Sequence, residues 1–316
     1  MRALNQYKIG IVSLSSPSST CEDKIHHGIQ VLKDLNLKIT IGSTVFCSLG
    51  NKSASAEDRD LHNMFLDTSV DLILNTTGGF CSNDLLDLLD FDLLRNNNKI
   101  FVGYSDISSV NLAAYTLAET KTISGPMLVG FLDCPQALSL LFLVLSQETF
   151  ALTCPSQIWE NGGANRRETP TLKYLANKNT MAQGSIIASN LSTFVLLAGT
   201  RYFPNLKGSI LFLEYDKEEE HALPSLERML VQVRQTGAFT NINGLVFGLL
   251  EAASAREETE IDNIETILER VSFGYRFPVL YDAPFGHTFP SWILPMGASV
   301  SIDTSTGSPK LRVEQK

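Results

Sequence analysis

The residues best placed to do chemistry begin with Ser105. It lies in Gly103-Tyr104-Ser105-Asp106, where the apolar run Ile100–Gly103 ends and a helix is predicted to start soon after. A serine at such a junction stands at the carboxyl end of a strand, where open α/β sheets place their sites, and a tight turn lifts its Oγ clear of the sheet. The pattern is G-Y-S-D-I rather than G-x-S-x-G, so the α/β-hydrolase elbow is not matched. Caps are far commoner than nucleophiles, and on the tetrapeptide alone Ser105 or Asp106 reads first as a helix cap.

A serine nucleophile needs a base, usually histidine. His26, His27 and His62 fall inside helical spacing, and His221 follows Glu218-Glu219-Glu220, which reads as a solvated acidic face. His287 differs. It sits in Ala283-Pro284-Phe285-Gly286-His287-Thr288, a loop just after the predicted strand Pro278–Tyr281, though a structural loop histidine is a comparable reading. The base in turn needs a carboxylate to fix its tautomer. Glu214 ends the apolar run Ser209–Leu213, where it either faces water or, if buried, needs a partner. Gly78-Gly79, after the strand Asp71–Asn75, offers backbone N–H groups suited to an oxyanion hole, or simply a turn. Cys81 is a rival nucleophile if a helix N-terminus activates its thiol, and otherwise a small packed residue.

These residues depend on elements that the spacing of apolar residues outlines. Strands are predicted at Lys8–Leu14, Lys38–Ile41, Asp71–Asn75 and Ile100–Gly103. Helices are predicted at Glu22–Leu35, Ala56–Leu66, Asn83–Leu94, Ser108–Glu119 and the apolar stretch Ala137–Leu145. That alternation implies a mainly parallel sheet covered on both faces. Cys154–Lys178 is polar and reads as a linker or loop. Beyond it, strands are expected at Gly184–Ala188, Ser209–Leu213, Leu245–Leu249 and Pro278–Tyr281, and helices at Pro224–Thr236 and Glu257–Val271. A terminal hairpin joins Ala298–Ile302 to Leu311–Val313. The expected division is an N-terminal domain over 1–150, a linker over 151–183 and a C-terminal domain over 184–316, in keeping with a chain of 316 residues.

Composition narrows the function. With 25 Lys and Arg against 34 Asp and Glu, the net charge of −9 argues against a general nucleic-acid binder. No P-loop, no G-x-G-x-x-G after the first strand and no zinc spacing is present. A P-loop, a Rossmann dinucleotide site and a zinc site are thus disfavoured, and no metal or other cofactor is expected of the family that the motifs below resemble. Five cysteines without a C-x-x-C, and no signal-peptide pattern at the N-terminus, point to a reduced, cytoplasmic protein with no membrane span.

Taken together the pieces resemble the LD-carboxypeptidase and microcin C immunity family of serine peptidases. The resemblance is carried by Asn75–Leu89 (NTTGGFCSNDLLDLL), Lys99–Ala114 (KIFVGYSDISSVNLAA) and Ser124-Gly125-Pro126. It continues through Ser189–Thr193 (SNLST), Gly199-Thr200, Leu211–Glu214 (LFLE), Phe285–Thr288 (FGHT) and Leu294–Ala298 (LPMGA). The Gly-Gly-x-x-Ser-Asn form from Gly78 to Asn83 is closer to the microcin-immunity branch. The resemblance implies a flavodoxin-like N-terminal α/β domain and a swivelling, barrel-like β/α C-terminal domain, in a cytoplasmic homodimer. It implies Ser105 as nucleophile, His287 as general base and acid, Glu214 as orienting carboxylate, and the amides of Gly79 and Asp106 as oxyanion hole. The substrate implied is a small peptide or peptidyl nucleotide, with Asn190, Trp159 and Lys217 as substrate contacts. Locally, Arg166, Arg167, Arg201 and Lys217 are cations that could hold an anionic terminus, or solvated surface residues, which is the better reading of the Arg166-Arg167 pair. Two features depart from the family pattern: Ala188-Ser189 replaces a Gly-Gly before Asn190-Leu191, and the stretch Cys154–Gln183 lacks a Gly-Trp element. A cysteine hydrolase or amidotransferase-like enzyme using Cys81, and a non-catalytic binder of small ligands, are the competing readings.

Overall fold

Leu72–Asn75 is buried at all four positions, as a strand covered on both faces must be. Ser209–Glu214 is likewise buried throughout its length. Each of these strands sits inside one of two units into which the chain divides. In the computed structural model, residues 6–15, 21–46, 54–160, 166–176, 178–216, 222–250 and 263–315 are described. The first unit is Met1–Ser146 with Tyr202–Pro204 and Ile293–Pro295. The second is Gln147–Arg201, Asn205–Trp292 and Met296–Lys316.

The first unit is built on β1 (Lys8–Val12), β2 (Lys38–Ile41), β3 (Leu72–Asn75), β4 (Ile100–Gly103), β5 (Lys121–Ser124) and, from much later in the chain, β15 (Leu294–Pro295). The sheet order is β15-β5-β4-β3-β1-β2. The first five strands are parallel, and β15 alone runs antiparallel, against β5. The order 2-1-3-4-5 is the flavodoxin-like one, which gathers the loops after β1, β3 and β4 at the carboxyl edge of the sheet. Helix α1 (Glu22–Asp34) buries Ile25, Gly28, Ile29 and Leu32, one stripe at helical spacing. Glu22 and Asp23 in its first turn and Lys33 in its last complement the helix dipole. Helix α2 (Ala54–Leu66) carries Asp60, a buried carboxylate.

The second unit carries β6 (Thr149–Ala151), β7 (Gln157–Glu160), β8 (Arg167–Glu168), β9 (Lys173–Tyr174), β10 (Met181–Asn190), β11 (Ser209–Glu214), β12 (Gly244–Gly248), β13 (Val279–Ala283), β14 (Thr288–Phe289), β16 (Ser299–Asp303) and β17 (Lys310–Glu314). Eight of them form one sheet in the order β6-β17-β16-β10-β11-β12-β13-β9, and β14-β7-β8 form a small second one. Strands β10 to β13 are mutually parallel, so their carboxyl ends open on one edge. Two helices of this unit, Ala222–Gln235 and Ile264–Val271, are tied by a forked ion pair. Arg270 Nε and Nη2 donate to Glu227 at 2.9 and 2.7 Å.

Two expectations need correction, and one strand is new. Asn83–Leu94 is not one helix: a 3-10 turn at Ser82–Leu85 is followed, after a break, by α3 (Phe91–Asn96). Asp90 restarts the helix by accepting a 2.9 Å hydrogen bond from Leu93 N, as a capping aspartate does. The stretch 151–183 is not a bare linker, because β7, β8 and β9 lie in it and pair with β14, with each other and with β13. Strand β5 was not anticipated; its polar Lys121-Thr122 start hides a run of only four residues. The predicted helical start at 257–262, together with Cys47, Lys217–Glu220 and His221, falls outside the described residues.

Asp60 accepts four hydrogen bonds from the loop after β2: Ser43 N and Oγ at 2.9 and 2.8 Å, and Thr44 N and Oγ1 at 2.6 and 2.7 Å. Asp60→Ala leaves these donors without an acceptor, and urea unfolding of the variant is expected to show a loss of about 2–4 kcal/mol.

Candidate active site

In the first unit Ser105 lies one residue beyond β4, after Tyr104, and opens a 3-10 turn, Ser105–Ile107, that leads into helix α4 (Ser108–Ala118). Its φ is 59°, in the left-handed region that a non-glycine residue enters only where its surroundings enforce it. The enforcement is visible. Asn111, one turn into α4, donates to Gly103 O at 2.7 Å and ties the strand end to the helix. Asp106, buried beside Ser105, accepts from Ser15 Oγ at 2.5 Å and from Ser82 N at 2.9 Å. Ser82 Oγ donates to Asp106 O at 2.6 Å and lies 2.6 Å from Ser109 Oγ. The loops after β1, β3 and β4 are thus knotted at one carboxylate. The β3 loop runs so close to the serine that a Cβ on Gly78 would stand 3.3 Å from both Ser105 Cβ and Oγ. Gly79 is the next residue of that loop, and Cys81, an exposed free thiol, takes the N-cap position of the turn Ser82–Leu85. Cys134 is the opposite case: it is buried, and desolvation pushes its thiol above the usual range, against thiolate chemistry.

In the second unit the carboxyl ends of the four parallel strands converge on Glu214. Glu214 is 3% exposed and ends β11. Its Oε2 lies 2.8 Å from His287 Nδ1, and its Oε1 accepts from Asn190 Nδ2 at 3.0 Å. Asn190 stands directly across from Glu214 in the β10–β11 register. Its orientation is fixed, because Oδ1 caps helix α5 (Leu191–Leu196), accepting from Thr193 N at 3.2 Å and Ser192 Oγ at 2.7 Å. The floor of the site has no side chains by necessity. A Cβ on Gly286 would lie 2.6 Å from Glu214 Cγ and Oε2, and one on Gly248 would lie 2.7 Å from Glu214 Cβ. On the other side of the ring, His287 Nε2 is 3.4 Å from Asp216 Oδ2. An imidazole held this way has one tautomer: Nδ1–H is donated to Glu214, which leaves Nε2 to accept a proton.

The structure therefore gathers Ser105, Asp106 and the Gly78-Gly79 loop in the first unit, and Glu214, His287 and Asn190 in the second. Asn190 has an internal task, orienting Glu214. Trp159 is 8% exposed on β7, paired with Phe289, and the Arg166 guanidinium lies 4.6 Å above its ring. Arg167 donates to Leu250 O at 3.4 Å, and Lys217 lies outside the described residues. His62 is engaged within its own unit, accepting from Asp90 N at 3.0 Å, and His26 stacks on Phe46. Asp216, Gly248 and Ser15 escaped the sequence reading, and only Asp216, two residues beyond Glu214, had a local signal; Ser82, which the sequence suggests as a helix cap, instead bonds Asp106. Among the described residues no group of three His, Cys, Asp or Glu is arranged to hold a metal ion, and no helix is long and apolar enough to cross a membrane.

Comparison with known proteins adds context. The family model for the LD-carboxypeptidase N-terminal domain matches residues 9–125, and that for the LD-carboxypeptidase C-terminal domain matches residues 183–302. Putative carboxypeptidase YocD of Bacillus subtilis is 30% identical over 296 residues, covering 90% of this chain and 89% of its own length. The microcin C7 self-immunity protein MccF of Escherichia coli is 26% identical, covering 93% and 90% of the two chains. Among solved structures, an MccF-like protein from Bacillus anthracis superposes with a TM-score of 0.88 at 30% identity, over 99% of this chain and 98% of that one. A muramoyltetrapeptide carboxypeptidase from Oxalobacter formigenes gives 0.78 at 20% identity, over 98% and 99%.

The Gly286 contact yields a direct test. Gly286→Ala places a methyl group on the Glu214 carboxylate at a φ of 93°, which alanine adopts only under strain. We expect a stability loss of about 1–3 kcal/mol in denaturant unfolding, and a crystal structure in which Glu214 has moved off His287 Nδ1.

Proposed function

This chain belongs to the LD-carboxypeptidase family of peptidases, and from that premise we propose that it is a serine hydrolase using Ser105, His287 and Glu214 to cleave an amide at the C-terminal end of a small peptide or peptidyl conjugate. The observation that carries the reading is the buried 2.8 Å contact between His287 Nδ1 and Glu214 Oε2, which leaves Nε2 as the proton acceptor. The left-handed turn at Ser105 supports the same reading, since strain of this kind collects at functional sites.

In this mechanism Ser105 Oγ bonds to the scissile carbonyl carbon while its proton passes to His287 Nε2. The negative charge moves to the carbonyl oxygen, where the amides of Gly79 and Asp106 donate to it. Glu214 stabilises the imidazolium that forms. The imidazolium then gives its proton to the leaving nitrogen as the C–N bond breaks. Water attacks the acyl-serine, its proton taken by His287 and returned to Ser105 Oγ as the acid departs. No step calls for a metal.

For the substrate we favour an aminoacyl-nucleotide amide over a murein peptide. The Gly78-to-Asn83 motif resembles the microcin-immunity branch, and MccF has been solved with glutamyl sulfamoyl guanosine bound. The Trp159 ring already carries a flat cation, Arg166, on one face, and a nucleobase in its place would keep the stacking. We further propose that the enzyme acts as a cytoplasmic homodimer, which light scattering on the purified protein would test.

Ser105→Ala is expected to lower turnover by ~10⁴–10⁶ with the unfolding midpoint unchanged, whereas Cys81→Ala stays within a few-fold of the parent; the reverse result would hand the chemistry to the thiol. Activity should fall as pH is lowered, because a protonated Nε2 cannot accept the serine proton, and it should survive EDTA. Release of D-Ala from an L,D-linked murein tetrapeptide, assayed beside cleavage of an aminoacyl-nucleotide amide, separates the two substrate classes. Cleavage of the murein peptide alone would overturn our preference.

A further inference from the structure

Both ring nitrogens of His287 face carboxylates. Nδ1 is 2.8 Å from Glu214 Oε2, as a triad requires, but Nε2 is also 3.4 Å from Asp216 Oδ2, which a triad does not require. A neutral ring that donates Nδ1–H to Glu214 turns the lone pair of Nε2 toward a second negative charge, which is unfavourable. An imidazolium donates from both nitrogens and satisfies both carboxylates. The ring lies in a largely enclosed site, its side chain 8% exposed against 30% for Asp216, so these charges are only partly screened.

The neighbours of Glu214 among the described residues bring no opposing charge. From β10 comes the neutral amide of Asn190, which donates to Glu214. From the end of β12 and from the loop before β14 come Gly248 and Gly286, which carry no side chain. Among the described residues, Glu214 at the end of β11 and Asp216 two residues later place a carboxylate at each ring nitrogen.

We propose that Asp216 is a positioning residue that acts through His287, strengthening it as a base and raising the pH below which the enzyme is idle. This rests on the assignment of His287 as general base. The attraction is electrostatic and does not vanish if the side chain moves aside, so Asp216 still favours the proton on Nε2 when that nitrogen takes it from the serine. A stronger base accepts the serine proton more readily once it is free, and it is free only at higher pH. Asp216 thereby exchanges activity in acid for rate near neutrality.

The proposal is tested on the full-length protein by following the His287 ring proton and carbon resonances against pH, assigned by their loss in His287→Asn. The measurement is made in Ser105→Ala, so it needs no turnover and stands or falls independently of the functional reading. Asp216→Asn is expected to lower the His287 titration midpoint by about one pH unit. Asp216→Ala should do the same, which excludes an effect of the new amide. In enzyme with Ser105 intact, the acid limb of kcat/KM should move down by the same amount, with the plateau kcat reduced a few-fold and KM unchanged. A His287 midpoint that stays where it was in both variants would overturn the proposal, as would a plateau kcat reduced more than a hundredfold. Absence of turnover in the parent enzyme, with the midpoint shift still present, would count against the serine-hydrolase reading and in favour of the electrostatic one.

Discussion

A carboxylate buried as deeply as that of Glu214 costs several kcal/mol if left without partners, and the surrounding part of the second unit follows from meeting that demand. One oxygen is taken by His287 and the other by Asn190. Each partner is itself fixed from outside: Asn190 by capping α5, and His287 by the loop between β13 and β14. Because β10 and β11 run parallel in register, the capping asparagine and the glutamate arrive at the sheet edge side by side. Two glycines then let the neighbouring backbone close around the carboxylate where any side chain would collide with it. The carboxylate is thereby held from four sides by groups that are themselves fixed.

The first unit meets a different demand, a left-handed residue at Ser105. Here the strained element is the backbone itself, and what holds it is a set of hydrogen bonds centred on Asp106. The carboxylate of Asp106 draws Ser15 and Ser82 inward, so three loops that leave three different strands cannot shift separately. Any loosening at Ser82, which contacts both Asp106 and Ser109, reaches the turn that carries Ser105. Strain stored at one residue is tolerated because several unstrained contacts determine its position together.

Much of this was legible in the sequence, and the reason differs from part to part. The alternation of Ile9–Val12, Leu72–Asn75 and Ile100–Gly103 with amphipathic helices gave the parallel sheet, because central strands must be apolar on both faces. Ser105 and Glu214 each stood at or just beyond the end of an apolar run, where a polar residue is conspicuous, and His287 stood in a Gly-containing loop beyond another. What stayed hidden was long-range. Nothing around Gly248 says that Glu214 packs on it, and Asp106 looked like a cap because its partners Ser15 and Ser82 lie far away in sequence. The stretch 83–94 looked like one helix because apolar spacing does not register an aspartate that restarts the turn at Asp90. Strands β7 to β9 hid in polar sequence because short strands pair through the backbone and leave little side-chain pattern.

The threading of the chain has a consequence for how the protein comes into being. The sheet that bears Ser105 has as its edge strand Leu294–Pro295, and Tyr202–Pro204 is also part of that unit, with Tyr202 bonded to Asp87. A ribosome that has delivered residues 1–146 has therefore delivered most of the first unit but not its β5-flanking strand, and the whole of the second unit's larger part must be synthesised before that edge can be closed. Until then β5 offers an unpaired row of backbone groups. Closure of the sheet that carries Ser105 therefore waits until Leu294–Pro295 has been made, and a chain interrupted before Leu294 would leave both units unfinished rather than one.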